Sequence, residues 1–175
     1  MILETDRLIL REMTINDFED LYEILKDSDV TKHYPYTFDE QRVRNWILKN
    51  IDRYEVFGFG LWGVVLKENK KMIGDCGITM QNINGMIKPE IGYHINKKYW
   101  RHGYGKEAAT KCRDWIFENS TFNIVYSYMQ STNLPSYSLA MSIGMKKVDE
   151  YIDGETKVLV YAITRKEWES IKKIF

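Results

Sequence analysis

The feature that most constrains this chain is a change of hydrophobic period near residue 100. Between Phe59 and Ile95 the apolar residues come in short runs broken by turn residues, as in strands. From Tyr104 to Asn119 they recur at helical spacing, with Ala108, Cys112, Trp115 and Ile116 on one face. Phe59 to Leu66 reads as one strand, the polar run Lys67 to Lys71 as a turn, and Met72 to Met80 as a second strand. Asn84-Gly85 is a hairpin signal, because both residues tolerate positive φ. Pro89 to Ile95 reads as the next strand, with Pro89 at its start, where a missing N–H does least harm.

The flanks follow the same logic. Leu8 and Leu10 suit a first strand. Thr14 and Asp17 form a capping-box pattern ahead of Phe18, Leu21, Tyr22 and Leu25. A loop is expected from Val30 to Tyr36. Thr37-x-x-Glu40 then reads as a second capping box, before the stripe Val43, Trp46, Ile47 and Ile51. Phe122 to Met129 reads as a strand and Asn133 to Ile143 as a helix that Gly144 ends. Two closing strands flank Asp153-Gly154. The order β-α-α-β-β-β-α-β-α-β-β predicts a mixed α/β (α+β) fold with about seven mostly antiparallel strands, about four helices and a β-α-β crossing after the third helix. With no linker or repeat, residues 1–175 read as one domain.

Composition narrows the function classes. Lys+Arg and Asp+Glu both number 25, so the chain carries no general attraction for nucleic acid or an anionic membrane. Cys76 and Cys112 form no C-x-x-C pair, which suits a reducing cytosol. The N-terminus lacks a signal-peptide layout, and no apolar run approaches bilayer-spanning length, so a cytoplasmic protein is expected. His33, His94 and His102 lack ligand spacing with one another or with the cysteines, so no metal site is expected.

The chemistry is concentrated at the change of period, in Tyr99-Trp100-Arg101-His102-Gly103-Tyr104-Gly105-Lys106-Glu107. Gly103 and Gly105 let the backbone approach a ligand without a Cβ in the way. The unpartnered N–H groups of the following helix suit a phosphate, and Arg101 and Lys106 add charge. A lone G-x-G equally serves only to turn the chain. There is no third glycine at Rossmann spacing and no G-K-[ST] of a P-loop.

The segment resembles the acetyl-CoA pyrophosphate loop of the GNAT superfamily, Q/R-x-x-G-x-G/A, with Trp100 at the first position. Gly103-Tyr104-Gly105-Lys106-Glu107-Ala108 is similar to the loop of one branch of that superfamily, which holds the ribosomal-protein N-terminal acetyltransferases (the Rim type), spermidine acetyltransferases and many further relatives. Thr5-x-Arg7-Leu8-x-Leu10-Arg11, Trp46-Ile47, Ile73-Gly74-x-x-Gly77, Glu90-Ile91-Gly92-Tyr93, Asn133-x-x-Ser136 and Lys166-Glu167-Trp168 resemble further motifs of that branch in the same order.

The resemblance implies the GNAT fold, acetyl-CoA as cosubstrate, a primary amine as acceptor and direct transfer between them. It implies that Tyr93, His94 and Ile95 run along the pantetheine arm. Trp100, Arg101, His102, Gly103, Tyr104, Gly105 and Lys106 would hold the pyrophosphate, and Asn133 and Ser136 the arm. Glu90 is the first candidate base and His94 the second. Ser136 is the candidate acid, because Ala140 stands where many relatives have a tyrosine. His33, Tyr34, Tyr36, Trp62, Met80, Gln81 and Tyr128 are the candidate acceptor pocket. Relatives are commonly dimers, which makes a homodimer an expectation. Alternatives within reach are a non-catalytic acyl-CoA-binding module, an antibiotic or polyamine acetyltransferase, and an interaction domain with no CoA site.

Overall fold

Leu8 and Leu10 are fully buried while Ile9 and Arg11 are half-exposed, the two-residue alternation of a strand with one covered face. The computed structural model describes residues 2–173, in which eight strands and six α-helices follow one another. They are β1 (Ile2–Glu4), β2 (Leu8–Arg11), α1 (Phe18–Leu25), α2 (Ser28–Thr31), α3 (Glu40–Phe57), β3 (Leu61–Leu66), β4 (Met72–Ile83) and β5 (Met86–Ile95). After these come α4 (Tyr104–Asn119), β6 (Ile124–Gln130), α5 (Leu134–Ser142), β7 (Lys146–Asp153), β8 (Thr156–Thr164) and α6 (Arg165–Lys172). No helix among the described residues is long and apolar enough to cross a membrane.

The chain divides into two compact units. The first holds Met1–Thr79 and Gly92–Lys111. Its strands run in the order β1-β2-β3-β4, each antiparallel to the next. Phe18, Leu21, Ile24 and Leu25 of α1 and Val43 and Ile47 of α3 pack with Leu61, Val65 and Met72 in one buried cluster. Spacings of three and four residues place each helix's apolar side chains on the face that meets the sheet. Gly77 is required by close packing: a Cβ there would sit 2.0 Å from the Gly60 carbonyl oxygen.

The second unit holds Met80–Ile91 and Cys112–Phe175. Its strand order is β5-β6-β8-β7, with β5 parallel to β6 at Glu90 and Tyr126 and the other pairs antiparallel. Val125, Ala140, Ile143, Met145, Val160 and Ile163 fill its interior. Arg165, at the start of α6, donates to the carbonyls of Phe117, Ser120 and Phe122 and so ties down the turn between α4 and β6.

Several local expectations hold and several are refined. Thr14 and Asp17 form the capping box, and Asn84 and Gly85 turn their hairpin at φ 51° and 79°. Gly144 ends α5 at φ 91°, with Met145 N–H bonding the Ala140 carbonyl. An extra strand arises because Ile2–Glu4 folds back on β2. The extra helices are α2, which begins before the expected loop and overlaps its first two residues, and α6, after the last strand. The box expected at Thr37 is instead a single cap from Asp39, whose carboxylate accepts the Arg42 N–H at 2.8 Å. Pro89 lies inside β5, because the two-residue hairpin turn lets the strand begin at Met86.

Candidate active site

The loop between β5 and α4 is shaped by its backbone. Arg101 and Gly103 both take left-handed φ values, 63° and 82°, so the chain enters α4 through a reversal that glycine adopts without strain. The first bond of α4 runs from Glu107 N–H to the Gly103 carbonyl at 3.0 Å. Helix geometry therefore leaves the N–H groups of Tyr104, Gly105 and Lys106 without intrahelical partners. Arg101, His102, Gly103 and Lys106 are exposed there.

Residues distant in sequence brace this loop. Glu107 accepts from the Thr5 hydroxyl, from Arg7 N–H at 3.0 Å and from the Arg7 guanidinium at 2.7 Å. Arg7 also donates to the His102 carbonyl at 3.0 Å, and its guanidinium lies 4.4 Å from the centre of the Tyr104 ring. Burial alone pushes the Glu107 carboxyl up; the bonds from Thr5 and Arg7 outweigh it and hold the group below its ordinary value. Trp100 uses its indole N–H on the Ile95 carbonyl at 2.7 Å, anchoring the loop to the end of β5.

A second polar cluster surrounds His94 in the same unit. A Cβ at Gly74 would lie 2.1 Å from the His94 carbonyl oxygen, so only glycine allows this approach of β4 to β5. The next residue, Asp75, is completely buried. One of its oxygens lies 2.7 Å from His94 Nδ1, and the other accepts the Trp46 indole N–H at 2.9 Å. On the far side of the ring, His94 Nε2 lies 2.8 Å from the Tyr34 hydroxyl. Tyr34 packs edge-on against Phe38 and Trp46 and at a tilt against Tyr36. His33 is half-buried, Tyr36 is exposed beneath the Arg42 guanidinium, and Trp62 is buried in β3. Tyr93 is half-buried on β5, and Ile95 is buried.

The second unit carries the other candidates. Glu90 is 8% exposed, paired in register with Tyr126. Asn133 caps α5, its side chain accepting Ser136 N–H at 3.3 Å. Ser136, Met80, Gln81 and Tyr128 are half-buried, and Ala140 is wholly buried. Sequence reasoning missed Asp75, although a lone carboxylate within an apolar strand was its signal: a charge buried there needs a partner. Among the described residues, no group of three or more His, Cys, Asp or Glu is placed to hold a metal ion.

Residues 7–146 match the family model described as "Acetyltransferase (GNAT) domain". The chain belongs to the GNAT acetyltransferase family. It is an acyltransferase with the mixed, mostly antiparallel α/β fold of that family. It is 33% identical over 144 residues to the uncharacterized protein YkkB of Bacillus subtilis strain 168, covering 82% of this chain and 84% of that one. The uncharacterized N-acetyltransferase YnaD of the same organism is 30% identical over 180 residues, covering 96% and 99%. A crystal structure of a GNAT-family acetyltransferase from Bacillus anthracis superposes with a TM-score of 0.81 at 28% identity, over 95% of this chain and 99% of that one.

Proposed function

We propose that residues 1–175 act as one N-acetyltransferase domain that moves the acetyl group of acetyl-CoA to a primary amine, by preference a peptide or protein N-terminal α-amine. The observation that carries this reading is the braced Gly103 loop at the start of α4, within a chain of the GNAT family. Exposed N–H groups at the positive end of the α4 dipole, with Arg101 and Lys106 beside them, fit a pyrophosphate. When bound, acetyl-CoA supplies the thioester carbonyl that the amine attacks. Family membership over residues of both compact units supports a single domain.

The amine must lose a proton before it attacks. Of the two residues expected as base, His94 has the supporting geometry: one ring nitrogen on a buried carboxylate and the other on a phenol. The cost of removing the amine's proton separates the acceptor classes. An α-amine of pKa ~8 gives up its proton roughly 3 kcal/mol more easily than a lysine amine of ~10.4, whatever the base. An α-amine is therefore the easier acceptor, as the Rim-type motifs also favour. The rings of Tyr34 and Tyr36, with Phe38 packed behind them, offer its neighbouring side chains an apolar wall. Ser136 is the proposed donor to the departing thiolate.

CoA release measured with acetyl-CoA and a panel of amines (short peptides, N-acetylated lysine, a polyamine, an aminoglycoside) tests this. Turnover is expected with free peptide N-termini and more weakly with the rest. No release with any amine would overturn the enzymatic reading in favour of an acyl-CoA-binding module.

A further inference from the structure

We propose that Asp75 and Trp46 are positioning residues that hold His94 as the Nδ1–H tautomer, so that the Tyr34 hydroxyl is the group that meets the acceptor amine. This rests on the amine-acetyltransferase reading above. Four side chains from four places in the sequence converge: Tyr34 from the segment after α2, Trp46 from α3, Asp75 from β4 and His94 from β5. Nothing in the family match assigns a role to Asp75 or Trp46.

The hydrogen bonds set the direction. In the proposed arrangement Asp75, wholly buried, accepts on both oxygens, from the Trp46 indole N–H on one and from His94 on the other. Its 2.7 Å contact with Nδ1 then places the proton on that nitrogen. In the neutral ring Nε2 is then an acceptor, and the 2.8 Å contact with Tyr34 is completed by the phenol donating. The Trp46 indole occupies the second carboxylate oxygen and keeps Asp75 from rotating away. Asp75 from β4 and Tyr34 are titratable groups that face His94, and Tyr54 on α3 feels the charge of Asp75. The rings of Trp46 and Tyr34 are centred 5.6 and 5.7 Å from the imidazole.

The proton path follows. An acceptor ammonium gives one proton to the Tyr34 oxygen as the phenol proton passes to His94 Nε2. The freed amine forms the C–N bond as the C–S bond breaks with its electron pair on sulfur. The nitrogen's second proton ends on the thiolate, and the imidazolium proton is returned to water. The products are an amide, CoA thiol and one proton. Asp75 stabilises the imidazolium that forms midway, without itself taking the proton.

Long-range 15N–1H NMR of the imidazole reads the tautomer with no substrate present. The wild-type ring is expected as Nδ1–H. Asp75→Asn removes the negative charge, so the His94 titration midpoint should fall, and the acidic limb of kcat/KM should move to lower pH with it. In that variant kcat should drop by about 100-fold or more, with the KM for acetyl-CoA unchanged. Trp46→Phe should cost roughly 3- to 10-fold, and Tyr34→Phe roughly 100-fold, with the His94 tautomer retained. An Nε2–H ring in the wild type, or an unmoved midpoint in Asp75→Asn, overturns the proposal and leaves the acetyltransferase reading standing. A wild-type ring in the expected tautomer with no CoA released to any amine overturns the functional reading, and the role given to Tyr34 with it.

Discussion

Two carboxylates in this chain hold nearly the same partners and do different work. In the second unit, Asp114 accepts the Trp168 indole N–H at 2.8 Å and the Arg113 guanidinium at 2.7 and 2.9 Å. In the first, Asp75 accepts the Trp46 indole at 2.9 Å and meets His94 at 2.7 Å. Each pairs an indole with a basic side chain on one carboxylate. The difference lies in the third member. Arg113 cannot give up its proton, and it spends another donor on the Ile143 carbonyl at the end of α5, so that cluster fastens α4 to its neighbours. His94 carries an imidazole, which can take up and return a proton, and its Nε2 lies 2.8 Å from the Tyr34 hydroxyl. On the proposal above, the same arrangement is a fastening when its base is permanently charged and a proton path when its base can titrate.

The sharpest way to break this contrast is His94→Asn, whose amide N–H stands near the place of Nδ1–H and keeps a donor on the buried Asp75. It should lower kcat/KM by about 100- to 10,000-fold in a CoA-release assay while leaving the melting temperature near that of the wild type. A variant that loses stability and activity in proportion would make the His94 cluster a fastening too. Asp114→Ala should do the reverse: it strands a buried guanidinium and costs roughly 3 kcal/mol in chemical denaturation, with kcat per folded molecule retained.

Glu107→Ala should release the loop, raising the KM for acetyl-CoA roughly 3- to 10-fold at constant kcat, as steady-state kinetics would show. Because the folded-state pKa of Glu107 is depressed, its contribution to stability is complete above the ordinary carboxylate value of 4.5 and disappears as pH falls through the folded-state pKa. Stability measured across that acidic range should therefore fall less steeply in the variant than in the wild type. The smallest effect belongs to Asp39→Ala, a lost cap on α3, at about 1 kcal/mol in denaturation.

How much of this was legible in the sequence depended on whether the signal was local. The Asn84-Gly85 hairpin, the Thr14 cap and the Gly144 stop each rest on neighbouring residues, and each forms as read. The glycine turn was visible at Gly103, and so was the helix α4 that follows it. The braces were not: Thr5 and Arg7 reach Glu107 across about a hundred residues, a pairing that periodicity does not encode. Tyr34 and His94 were both singled out, for different tasks, and their contact spans 60 residues. Asp75 was not singled out, because its partners lie on α3 and β5, 29 and 19 residues away. The Thr37 box failed because Asp39, a stronger cap one residue before the helix, competes for the same N–H groups.

Thermal unfolding with rising acetyl-CoA tests the central claim most directly. At ~100 times the Kd, the wild type should gain ~2.7 kcal/mol. Gly103→Val, which forces a β-branched residue to φ 82° in an exposed loop, should fold and lose that gain. A wild-type protein unmoved by millimolar acetyl-CoA would contradict the assignment of the loop as a cofactor site.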